Sequence, residues 1–152
     1  MLKAIDVANF FIYLNKKEFE LTLTNNLINH LTYLAYGWFY AKNDCELFSE
    51  KIYSIDNHIE IENVYNKFNK YKNNIIEDYI GEFNISIFVS KEIELLIAVY
   101  DYYSQFSSNY IQKIICHSSS PWSSKCYETK IIDNQKIYNF FKSRKYFDDI
   151  HQ

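Results

Sequence analysis

The densest group of reactive side chains lies in IICHSSSPWSSKC, Ile114 to Cys126, where Cys116, His117 and Cys126 accompany five serines. Two thiols and an imidazole are zinc ligands, and Cys45 or His30 would have to supply the fourth. Their spacing matches none of the finger or ribbon patterns, which set ligands in close pairs. A Cys–His nucleophile needs the imidazole within hydrogen-bond reach of the thiol. Neighbours on a helix point about 100° apart, so Cys116 and His117 cannot serve each other, and His30 or His58 would have to arrive from elsewhere. The carboxylate pairs Glu60/Glu62 and Asp148/Asp149 fit solvated faces, with nothing to separate an acid from a base. Ser118, Ser119 and Ser120 lack the strand–turn–helix setting of a nucleophilic serine and suit the end of a helix. Gly37 and Gly81 are the only glycines, so no phosphate-cradling loop can be built. No cofactor, metal or catalytic residue is expected.

The same stretch reads more simply as a structural junction. A helix ends near His117, whose imidazole can meet a carbonyl left free there. Pro121, the only proline, stops the helix from resuming. Trp122 is expected to plug the domain, so Trp122→Ala should loosen it while Ser119→Ala should not.

The elements that would position these residues are mostly helical. A chain of 152 residues suits one domain, taken as residues 1–152, and two glycines and one proline are too few for the turns of an all-β fold. Ala4, Val7, Ala8, Phe11 and Ile12 recur at helical spacing over about Lys3 to Leu14. Thr24 is placed to cap a central helix over Asn25 to Ala41, with Leu27, Leu31, Leu34, Ala35 and Trp38 on one stripe. Ile52, Ser54 and Asp56 alternate as a short extended piece. From Glu60 the helical period returns through Ile61, Val64, Tyr65 and Phe68, to about Tyr71. Phe83, Ile85, Ile87 and Val89 alternate like a strand, so the two extended pieces are expected to pair as a small hairpin at one edge.

Ser90 is expected to cap a helix with Ile93, Leu96, Ile97, Tyr100 and Tyr103 or Ser104 inward. Ser107 or Ser108 should cap Asn109 to His117, and a last helix should span Asp133 to Lys142. The fold expected is mainly α, a compact domain of about six helices with short extended segments.

Net charge is −3, which provides no general field for nucleic acid; the Lys142, Arg144 and Lys145 cluster reads as a solvated helix end. Three cysteines without framework spacing fit a reducing compartment, and no apolar run is long enough to span a membrane or open a signal peptide, so a cytoplasmic location is expected. The 15 Tyr and 12 Phe exceed what the helical stripes can bury. The surplus of Asn, Lys, Ile and Tyr is also what AT-rich codons produce. Surface tyrosines serve protein contacts at low entropic cost, and His30, Asn57, His58, Tyr102 and Tyr103 are the candidate contact residues.

The order of motifs resembles the Panacea domain family, the SocA-like antitoxin-associated domains found in phages and mobile elements. AIDVANFFIYL (Ala4 to Leu14) matches the opening helix, and LTNNLINHLTYLAYGWFYA (Leu23 to Ala41) the threonine-capped helix. ELFSEKIYSI, ENVYNKF, CHSSSPW and IIDNQKIYNFF follow in the family's order over essentially the whole chain. Three departures stand out. Asn29 and His30 replace a Lys/Gln-type polar pair, NHIE (Asn57 to Glu60) stands where a Tyr-Gly-Pro-Val turn is usual, and Cys116 replaces a threonine. The resemblance implies a non-enzymatic helical domain that binds and neutralises a toxin or effector, or acts as a proteolytic adaptor. Two alternatives are carried forward. One is an element-borne inhibitor of a host defence nuclease, such as an anti-CRISPR-type protein; the other is a metal or catalytic protein using Cys116, His117 and Cys126.

Overall fold

A computed structural model describes residues 1–56, 58–116, 120–121, 130–144 and 147. Asn57, His117, Trp122 and Cys126 lie outside the described residues. Among these the protein is mainly α with a small β element: α1 (Ala4–Glu18), α2 (Asn25–Asn43), β1 (Ile52–Ile55), β2 (His58–Ile61), α3 (Tyr65–Phe68), α4 (Ser90–Tyr103), α5 (Ser108–Ile115), β3 (Lys130–Ile131) and α6 (Asn134–Lys142). None of the helices is long and apolar enough to cross a membrane.

The core forms around α2. Every residue from Leu27 to Phe39 is buried, and α1, α3, α4, α5, α6 and β2 all pack against it. A helix enclosed on all sides must satisfy its own polar side chains internally. Thr24 caps its start, accepting the Leu27 N–H at 3.3 Å. Thr32 Oγ1 donates to the Ile28 carbonyl, and Asn25 Nδ2 donates to that of Tyr65 at 2.9 Å. One hydrophobic cluster runs from Leu2 to Phe141, joining residues of every helix.

The β element differs from the expected hairpin. The partner of β1 is β2, in antiparallel register with Ile52 opposite Ile61 and Ile55 opposite His58, and β3 adds on the other side in the order β2-β1-β3. Glu60 and Ile61, expected to open a helix, therefore end a strand, and the helix starts at Tyr65. Ile61 carries both periodicities at once: it lies three residues from Val64 on a helical stripe and two from Ile59 on a strand face. Pairing with Ile52 and Ser54 decides between the two.

The segment expected as a strand from Phe83 to Val89 is instead a single 3-10 turn, Ile85–Ile87, preceded by Asn84, whose Oδ1 accepts the Ser86 N–H. Only Phe88 of its alternating residues is buried, so there is no sheet face for Ile85, Ile87 and Val89 to cover. One boundary and one stripe position also move. Val89, not Ser90, precedes α4, and the Glu92 carboxylate accepts the Val89 N–H at 2.8 Å. Ile97, placed on the inner stripe, is 38% exposed while Leu95 is buried.

Candidate interaction site

Trp38 occupies the C-terminal half of α2, where its indole is nearly enclosed. Nε1–H donates to the Tyr103 hydroxyl of α4 at 3.0 Å. Its ring meets Phe141 of α6 and Phe147, each with centroids 5.0 Å apart. Phe147 in turn packs on Tyr102 at 5.2 Å, and Tyr102 on Phe106 at 5.3 Å. Helix α6 reaches Trp38 because Gly37 precedes it: a Cβ built on Gly37 would overlap the Phe141 ring. The absence of a side chain at Gly37 therefore lets α6 lie directly on α2.

Beside this cluster opens a groove of about 670 Å³ between α2, α4 and the end of α6. Trp38, Ala41, Leu95, Ala98, Phe141 and Phe147 form its apolar surface. Lys42, Lys142, Arg144 and Glu94 supply its charges. Lys142 Nζ donates to the Ala41 carbonyl at 2.9 Å and pairs with Asp44 at 3.2 Å, which fastens the end of α6 to the end of α2. The Tyr138 hydroxyl and then Lys142 hold the Asp44 carboxyl below its usual range. The Arg144 guanidinium lies 3.9 Å from the centre of the Phe140 ring, and Nη1 donates to the Phe140 carbonyl and Ser143 Oγ.

The candidate contact residues separate by depth. His30 is 2% exposed, and its Nε2 accepts the Ile59 N–H at 3.3 Å. Burial, with a smaller contribution from nearby His58, pushes its pKa down to about 3. Tyr103 is fully enclosed, and burial raises its hydroxyl pKa. Both belong to the interior and cannot touch a partner without unfolding. Tyr102 is half-buried at the edge of the aromatic cluster. His58, also half-buried, pairs with Glu60 at 2.7 Å and stacks on Tyr65 at the hairpin; it does not line the groove. The structure thus puts Tyr102 and Tyr103 behind the groove, packed on Phe147 and Trp38 without lining it, and leaves His30 and His58 at the sheet.

At the junction, Ser120 Oγ donates to the Ile115 carbonyl at 2.6 Å, so a serine closes the end of α5, and Pro121 beside it is half-buried. Burial pushes the Cys116 thiol up to about 11, the opposite of what a thiolate nucleophile needs. Cys45 is exposed, and among the described residues no three His, Cys, Asp or Glu side chains converge as a metal site.

Sequence reasoning placed Trp38 and Phe141 in the core and Lys142 and Arg144 on a solvated helix end, and did not join them. The available signal was Phe141-Lys142 at the end of α6 combined with Gly37-Trp38 in α2. No family model matches the chain, and neither a curated protein nor a solved structure matches it.

Proposed function

We propose that this chain is a non-enzymatic protein-binding domain that neutralises a toxin or effector by direct association, the function its resemblance to Panacea domains implies. The observation that supports it is the groove beside Trp38, an aromatic surface with charged groups around it. Interfaces concentrate binding energy in aromatic and arginine side chains set in such concave, well-packed patches. A stable complex buries at least ~1,000 Å² in total, so contacts extend beyond the groove onto neighbouring surface such as the exposed Ile97 of α4.

The test is affinity capture of the tagged chain from its native host, followed by reconstitution with the purified partner. A stoichiometric complex in which the partner's toxic or catalytic activity is suppressed is the expected result. Recovery of a defence nuclease complex would redirect the reading to an inhibitor of host defence. An unaffected partner activity, or turnover of a substrate by the chain alone, would overturn neutralisation by binding.

A further inference from the structure

We infer that the groove between α2, α4 and the end of α6 receives an acidic segment of a protein partner. An apolar or aromatic side chain of that segment rests on Ala98, Phe147 and the outer edge of Trp38, and its carboxylates meet Lys42, Lys142 and Arg144. The inference rests on the protein-binding reading above and adds the partner's chemistry to it.

Charge is the first ground. The chain carries 16 Lys and Arg against 19 Asp and Glu, yet three cations surround the groove with Glu94 as the single carboxylate among its lining residues. Among the described residues, Asp44 offsets part of the Lys142 charge and still leaves the groove lining positive on a negative molecule. Lys42 is exposed and makes no ion pair among the described residues. A local field opposite in sign to the whole selects a carboxylate-bearing ligand and repels a basic one.

The floor supplies the second ground. Ala98 and Phe147, backed by the enclosed Trp38, Leu95 and Phe141, offer a large side chain an apolar seat beside those charges, the anchor-and-rim arrangement of protein interfaces. A nucleic acid strand needs a run of phosphate contacts, and three cations with a carboxylate between them offer too few. An acidic segment with one apolar anchor matches both parts of the groove.

The test selects peptides from a random display library with the full chain. Binding is then compared in Lys42→Glu and Ala98→Trp, both substitutions at exposed helix positions and expected to leave the circular dichroism unchanged. Enriched peptides should carry Asp or Glu next to Trp, Phe or Leu. As synthetic peptides they should bind about tenfold or more weakly to either variant and weaken on addition of salt. They should also shift the Trp38 indole N–H resonance in wild type, a measurement that stands even if a variant misfolds. The inference is overturned by failure to enrich, by consensus peptides without acidic residues, by an undisturbed Trp38 resonance, or by tighter binding of a single-stranded oligonucleotide. A native partner that binds Lys42→Glu and Ala98→Trp as tightly as wild type would overturn it too and leave the protein-binding reading intact. Acidic-peptide selection with no neutralised partner would support the groove assignment and remove neutralisation.

Discussion

His30 shows how far a single residue's role depends on its depth. Its Nε2 must stay unprotonated to accept the Ile59 N–H, and the interior around it disfavours an imidazolium. The unfolded chain protonates this residue below its ordinary pKa of about 6.5, while the folded chain resists down to about 3. Unfolding therefore takes up a proton between those values, and stability falls as pH drops through that window, by about 2 kcal/mol at pH ~5. Urea midpoints at neutral and mildly acidic pH should show this loss in wild type. It should be smaller in His30→Gln, which can keep an acceptor without titrating; equal slopes would remove His30 as the cause.

Tyr103 gives a second prediction at the same scale. Tyr103→Phe strands the Trp38 N–H in a buried site and should cost about 1–3 kcal/mol in a denaturant titration. Tyr103→Ala also empties a core position and should cost about 3–5 kcal/mol. Loss of partner binding in Tyr103→Ala would then report a disturbed core rather than a lost contact.

Among the elements, α2 acts as the spine to which the others are matched. It protects the sheet as well as filling the core. The edge strand β2 turns its outer N–H groups toward α2, where His30 receives Ile59 and Asn29 Oδ1 receives Ile61 at 2.9 Å. An edge strand with unpaired N–H groups invites pairing with another chain, and these two side chains occupy that edge. Asn29 and His30 therefore have a structural role in this protein.

The seating of α6 depends on Gly37 in the same way. Gly37→Ala favours the isolated helix by roughly 0.8–1 kcal/mol but forces the Phe141 ring away. Overpacking costs about 1–3 kcal/mol, so the net expectation is a less stable protein with a displaced α6. A raised midpoint in Gly37→Ala would show that α6 yields without cost.

Across the whole molecule, the single cluster from Leu2 to Phe141 ties the hairpin and the helices together. Asn9 extends the connection by exchanging two hydrogen bonds with the Ile80 backbone, and Asn15 by gripping the Leu21 backbone and the Tyr100 hydroxyl. A shared core predicts one cooperative transition, with helix circular dichroism and tryptophan fluorescence changing together in urea. Separate transitions would mean that the hairpin or α6 unfolds as an independent unit. Groove substitutions such as Lys42→Glu lie outside that core and should leave the midpoint close to wild type.

The helical class, the central place of α2, the Thr24 cap and the start of α6 next to Asp133 were legible in the sequence alone. These follow from local spacing and capping chemistry, which a short window of residues contains. Sequence pattern misread Glu60 and Ile61 as the start of a helix and Phe83 to Val89 as a strand, because a short apolar pattern fits more than one element until a neighbour is present. The folded chain alone placed His30 inside, assigned Tyr103 to the inner stripe rather than to the surface, and joined Trp38, Phe141, Lys142 and Arg144 around one groove. Those residues come from the middle and the end of the chain, and the contact between them exists because Gly37 leaves room for a ring more than a hundred residues away.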